Sequence, residues 1–261
     1  MTTIMFWNLY EAAIEARNGD DRRWRLQADI IKRQRPDVLA ITEGWNWHLD
    51  EGLLFDKALA DFGFADGVLY ESKTECDMAV MWRAGTSLID SKGQPLAVAW
   101  WHGFLRVTLE LPGRSEPFVV MVSHYNPFDP TLRRIESSFL RAAMSNTPAG
   151  VLVMDANTIA PGDPEPESSP SRNLPGETTC DRAPLQTLAD VGLVDVAAAF
   201  EDRSPTFGHY RQATRQVEPT RLDQAWATPS VTLTDYHVIG PSQERDIDLA
   251  SDHRPISFEI G

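Results

Sequence analysis

The chain has 261 residues, 42% of them hydrophobic, enough to bury a core between two packed sheets without requiring a second domain. Its 24 Lys and Arg stand against 38 Asp and Glu, a formal charge of −14 that repels polyphosphate at long range and argues against tight non-specific binding of nucleic acid. No apolar stretch approaches bilayer-spanning length, so no membrane partner is expected.

Taken in chain order, the N-terminus runs from Met1 into a strand-like segment at 3–7, without the basic and apolar regions of a signal peptide. With only Cys76 and Cys180 available for a bridge, the expectation is a cytoplasmic protein with reduced thiols. A helix comes next over 21–35, where Trp24, Ala28 and Ile31 fall at i, i+4 and i+7. Strand-length runs rich in β-branched and aromatic residues occupy 38–42, 78–82, 104–111 and 118–123. Asp129-Pro130 reads as the cap and first-turn proline of a helix whose apolar face is Leu132, Ile135, Phe139 and Ala143. A strand at 151–154 precedes residues 160–175, a Pro-rich acidic loop without periodicity. That loop reads either as a solvated insertion or as a flap beside a site, because it begins directly after Asp155-x-Asn157. A short helix at 184–189 stops near Gly192, and strands at 222–227, 236–239 and 255–260 complete the chain. There is no internal repeat. Strands mixed with a few helices suggest two sheets face to face with helices outside, in one domain spanning 1–261.

The informative pattern lies at the strand ends. The run 3–7 leads to Asn8, 38–42 to Glu43, 118–123 to His124, and 151–154 to Asp155 and then Asn157. Arg221-Leu222 leads to Asp223, and Ser251-Asp252-His253 enters the last strand. If these strand ends share one edge of the packed sheets, carboxylates, amides and imidazoles converge there. Such a set suits Mg²⁺, which prefers oxygen ligands, and phosphate, whose non-bridging oxygens need donors and positive charge. Taken singly, each residue has an ordinary alternative: a solvated turn carboxylate, a satisfied loop histidine, or, for Asp155-x-Asn157, an Asx-turn. The tryptophans near the motifs, Trp45, Trp47, Trp100 and Trp101, read as packing residues or as a stacking platform for a flat substrate group. No P-loop sequence and no Cys/His spacing of a structural zinc site occurs.

In that order, Trp7-Asn8, Pro36-Asp37-Val38 through Glu43, Ser123-His124, Met154-Asp155-Ala156-Asn157, Arg221-Leu222-Asp223 and Ser251-Asp252-His253-Arg254-Pro255 resemble the endonuclease/exonuclease/phosphatase superfamily. This is the fold of pancreatic deoxyribonuclease, AP endonucleases, inositol-polyphosphate phosphatases and neutral sphingomyelinases. The resemblance spans nearly the whole chain and implies a four-layer α/β/β/α sandwich, two packed mixed β-sheets flanked by helices. It implies Mg²⁺ or Mn²⁺ held by Glu43, Asn8 and Asp252. Asp155 would activate water. Asn157, His124 and His253 would contact the scissile phosphate, and Asp223 would pair with His253. Arg106 and Arg134 are further substrate-binding candidates. The chain departs from the family where Met154 and Ala156 flank Asp155 in place of the usual Gly and Phe, and where Gln224 replaces a Tyr. The implied activity is a metal-dependent phosphoester hydrolase of phosphodiesterase or nuclease type. Alternatives are hydrolysis of a small phosphorylated metabolite and, more remotely, an inactive binding protein of the same fold. The implied partner is a phosphoester (nucleic acid, nucleotide or metabolite), with no obligate protein partner.

Overall fold

A computed structural model describes residues 1–93, 100–167, 179–213 and 217–261. Within them, β1 (Thr2–Asn8), β2 (Val38–Trp45), β3 (Asp66–Tyr70), β4 (Cys76–Trp82), β11 (Leu233–Val238) and β12 (Ile256–Ile260) form one six-stranded sheet in the order β11-β12-β1-β2-β4-β3. The second contains β5 (Ser87–Gly93), β6 (Gly103–Glu110), β7 (Phe118–His124), β8 (Gly150–Asp155), β9 (Val194–Asp195) and β10 (Asp223–Ala227), in the order β5-β6-β7-β8-β10-β9. Both are mixed: β1 with β2 and β7 with β8 pair in parallel, and the other pairings are antiparallel.

Period-two alternation builds the layers. Ile4 and Phe6 of β1 join Val120 and Val122 of β7, Val151 and Val153 of β8 and Ala225 of β10 in the core between the sheets. Their neighbours Met5 and Trp7 turn outward onto α1 (Ala12–Arg17), α2 (Arg22–Gln34), α3 (Leu49–Phe62) and α7 (Ile247–Ala250). On the far side, Met121, Leu152, Met154 and Trp226 pack against α4 (Pro130–Ser145) and α5 (Ala183–Ala189). The short α6 (Val196–Ala199) packs against β10 and β11. This is the four-layer arrangement implied by the sequence. The same alternation makes Asn8, His124, Asp155 and Asp223 the next inward-facing positions after the apolar ones, so the candidate site is the polar end of the inter-sheet core.

Some elements differ from expectation. The runs legible in the sequence do not include α1, α3, α6, α7, β3, β5 or β9. In α3, Asp50, Glu51 and Gly52 take positive φ, so regular helix begins only beyond them and buries Phe55, Ala58 and Phe62. For α4 the cap is as expected, with Asp129 accepting from Thr131 N and Leu132 N, but the inward face is not. Arg133, Glu136, Ser137, Leu140 and Met144 are buried, while Ile135 and Phe139 are exposed. The polar residues are inside because they tie loops to the helix. Glu136 accepts from Trp101 N and Asn126 N at 2.8 Å each, and Arg133 donates to Asn126 O at 2.9 Å. Residues 168–175 of the predicted Pro-rich loop lie outside the described residues. Its first part is anchored, because buried Asp163 pairs with Arg221 and Arg203 at 2.8 Å each.

Candidate active site

Strand pairing brings the strand-end residues into register. Asn8 sits beside Thr42, His124 beside Asp155, and Asp155 across from Asp223. The β2 strand does not stop at Glu43 but runs through a bulge between Ile41 and Gly44. Glu43 takes φ 60° there, a left-handed conformation that a non-glycine residue adopts at a cost of about 1–2 kcal/mol and that aims its carboxylate at the cluster. Ser251 ties the final turn to β1 by donating to Asn8 O at 2.7 Å, and it accepts from His253 N at 3.1 Å.

Asp155 is the hub. Its Oδ2 lies 3.3 Å from His124 Nε2 and 3.7 Å from His253 Nε2, and it accepts from Asn8 Nδ2 at 3.1 Å. The Asn8 amide also donates to Glu43 Oε1 at 3.0 Å. Asn157, at φ 48°, donates its backbone N–H to Asp155 Oδ1 at 2.9 Å and its side-chain amide to Tyr125 O at 3.1 Å. That is the Asx-turn geometry, and it places Asn157 in the cluster as well. His253 Nδ1 is 2.7 Å from Asp223 Oδ2, and Asp252 Oδ1 is 3.9 Å from His253 Nε2. Asn8, Glu43, His124, Asp155, Asn157, Asp223, Asp252 and His253 are therefore brought together.

The two arginine candidates are not. Leu105 and Val107 face the inter-sheet core, so Arg106 between them points to the outer face of its sheet, where it donates to Thr108 Oγ1 at 2.9 Å. Arg134 makes a two-point pair with Asp181, at 2.7 and 2.9 Å, on the outward side of α4. The motif residue Arg221 also faces away, buried between Asp163 and Asp195. Trp47 and Trp100 are packing residues, Trp45 donates to Glu43 Oε2 at 3.1 Å, and Trp101 is partly exposed against Phe128. Thr206 went unnoticed in the sequence. Its hydroxyl accepts from the backbone N–H of both Leu222 and Asp223, and no local signal marks it. Cys76 and His102 were likewise passed over, though both are buried next to His124.

Electrostatics arise from crowding. Burial opposes charge on His253, but Asp223, Asp252 and Asp155 outweigh it and hold the ring pKa at about 10, so it is an imidazolium at neutral pH. Burial raises Asp223 as well, against the pull of His253; three carboxylates around one imidazole decide for the proton on the ring. For His124, burial pulls down, while the contact with Asp155 and the charge of Glu43 win and raise it. Asp252 is pushed up to about 7 by burial, with Glu43, Asp155 and Asp223 adding to the effect and His253 opposing it.

The donor set fits a hard cation. Four carboxylates, from Glu43, Asp155, Asp223 and Asp252, exceed the two imidazoles even when both rings are protonated. Among the described residues, Asp252 Oδ1 and Asp223 Oδ1 have no hydrogen-bond partner. Asn8 turns Nδ2 toward the carboxylates while its Oδ1 accepts from Tyr10 N at 3.0 Å; serving as an oxygen ligand requires the amide to flip. Beside Asp252 opens a cavity of about 560 Å³ whose walls include Tyr10, Phe207, His209, Tyr210 and Arg211.

Comparison with known proteins bears on the fold and the family. No curated protein matches in sequence. Among solved structures, an endonuclease/exonuclease/phosphatase from Bacteroides vulgatus superposes with a TM-score of 0.73 at 13% identity, covering 100% of this chain and 98% of that one. The mannosyl-6-phosphatase Bt3783 of Bacteroides thetaiotaomicron gives 0.69 at 13% identity, with both chains fully covered. TDP2 of D. rerio, complexed with a single-strand DNA product, gives 0.65 at 15% identity, covering 100% of this chain and 98% of that one. At these identities the likeness concerns the fold. The family model described as endonuclease/exonuclease/phosphatase matches residues 5–253. By that match, over a fold that agrees with it, the chain belongs to the endonuclease/exonuclease/phosphatase family.

Proposed function

We propose that the chain is a divalent-metal-dependent phosphoester hydrolase. The observation that carries this reading is Asp155 Oδ2 lying within 3.3 and 3.7 Å of two imidazole nitrogens, with Glu43 and Asn8 on its other side. A phosphoryl group entering beside Asp155 meets Nε2 of His124 and of His253 as donors to its non-bridging oxygens. A hard cation, Mg²⁺ or Mn²⁺, would be held by Glu43, Asp252 and Asn8 and would neutralise charge on those oxygens. Asp155 orients the attacking water and takes its proton, and the Asn157 turn keeps that carboxylate in place. Asp223 fixes the His253 ring and keeps it charged, so the ring donates most strongly as charge builds in the transition state.

The family resemblance favours a diester of nuclease type. Two observations support a small phosphorylated metabolite instead: the formal charge of −14, and the open aromatic-walled cavity beside Asp252, sized for one small organic group. The mannosyl-6-phosphatase and the DNA-bound TDP2 among the structural relatives bracket the two classes. A metal-supplemented panel of plasmid DNA, single-stranded DNA, RNA and phosphorylated metabolites separates them. Turnover of at least one class is expected; a folded, metal-loaded protein inert on all of them would contradict the hydrolase reading.

A further inference from the structure

Next to the oxygen-lined cluster lies a set of side chains with softer chemistry. Cys76 opens β4, His102 precedes β6, and His124 closes β7. All three are buried, and one ligand atom from each lies within 4.8 Å of the other two. Cys76 Sγ is 3.6 Å from His124 Nδ1, about the sulfur–nitrogen edge of a zinc tetrahedron with bonds of ~2.3 and ~2.0 Å. The rings of His102 and His124 stack with centroids 4.2 Å apart and planes 17° from parallel.

Each imidazole already has an orienting partner on the nitrogen that would not ligate. Thr74 Oγ1 is 2.6 Å from His102 Nδ1, and Asp155 Oδ2 is 3.3 Å from His124 Nε2. A carboxylate on the far nitrogen keeps the His124 proton on Nε2 and turns the Nδ1 lone pair toward sulfur, the outer-shell support that metal-bound histidines need. Gly103 makes the turn that seats His102. Its φ is 120°, and a Cβ there would meet the Tyr70 ring.

We propose that Cys76, His102 and His124 form a second metal site, selective for Zn²⁺, joined to the magnesium site through the His124–Asp155 contact. One sulfur and two imidazole nitrogens suit zinc and not Mg²⁺, and three protein ligands leave a fourth position for water. Binding replaces the Cys76 thiol proton, which leaves to solvent, and tilts His102 out of the stack so that its Nε2 meets the ion. Zinc on Nδ1 then holds His124 in one tautomer, with its proton on Nε2 facing the phosphate position.

The test is spectroscopic and needs no substrate. Metal-stripped full-length protein in excess Mg²⁺ is titrated with Co²⁺, a coloured stand-in for Zn²⁺. The expected result is one ion per chain with a near-ultraviolet sulfur-to-cobalt charge-transfer band, erased by Zn²⁺. Cys76→Ser should lose the band, and His102→Ala should weaken cobalt binding at least ~10-fold. Cys180→Ser should keep the band. Glu43→Gln should keep it too while losing magnesium-dependent hydrolysis, so failure of the hydrolase reading and failure of this one show up separately. Circular dichroism checks folding, and Cys76→Ala substitutes if the serine variant unfolds. Absence of the band in the wild type, or its survival in a folded Cys76 variant, overturns the proposal.

Discussion

His253 owes its charge to the three carboxylates that face it, and Asp223 is the one in hydrogen-bond contact, at 2.7 Å. Removing either partner should therefore damage the same function. We expect His253→Ala and Asp223→Asn each to lower kcat on the order of 10²-fold with much smaller effects on Tm. The double variant should be far more active than the product of the two losses, because groups acting as a unit are not additive. Strictly multiplicative losses would show that they act independently. The pH profile gives a second reading. A raised pKa keeps the donor protonated as pH climbs, and it is lost only on passing about 10. Asp223→Asn removes one stabilising charge, so the alkaline limb of kcat/KM should move toward neutral pH; an unmoved limb would detach His253 from it. Much of this was legible at the residue scale. Asn8, His124, Asp155 and Asp223 end strands whose inward positions are visible by alternation. Arg106 could have been set aside by the same parity, since Leu105 and Val107 on either side of it are core residues.

At the scale of elements, α4 shows why an apolar stripe can mislead. Leu132, Ile135 and Phe139 form a regular helical face, yet the buried one carries Arg133, Glu136 and Ser137, which satisfy backbone groups of loops and of α5 invisible to local periodicity. Glu136 bears the consequence. Burial pushes its pKa from 4.5 up to about 7, against its two backbone hydrogen bonds. The folded chain thus holds this proton more tightly than the unfolded one. Stability contributed by the protonated form is lost as pH rises from about 4.5 to 7, a component of about 3 kcal/mol. Glu136→Gln gives up one backbone acceptor and should be less stable at acid pH, but its stability should decline less over that window. Parallel urea-denaturation curves for the two proteins across the window would contradict the assignment. The Pro-rich loop divides similarly. Asp163 at its base holds Arg221, so Asp163→Ala should cost on the order of 3 kcal/mol by taking one carboxylate from a buried guanidinium and leaving it, among the described residues, Asp195. Deleting 168–175 should leave Tm nearly unchanged and, if the segment is a flap, alter KM. Unchanged kinetics and selectivity would make it a passive insertion.

For the whole molecule, two sheets with helices outside could be read from strand-length runs, which are local signals, and the four layers from the family resemblance that the order of the motifs carries. What joins them could not. Thr206 braces Asp223 from 17 residues away, and Cys76, His102 and His124 meet from two strands and the segment before a third. The formal charge of −14 works against any polyanionic substrate, and the cluster gathers four of its carboxylates at one point, so the proposed hydrolysis would need a cation to reverse that sign locally. The most direct measurement is the hydrolysis rate of metal-stripped protein on a substrate found in the panel, before and after Mg²⁺ or Mn²⁺ is restored. No turnover is expected after chelation, with full recovery on either ion, a recovery that Glu43→Gln should lack. Undiminished turnover by thoroughly chelated and dialysed protein would contradict metal dependence outright.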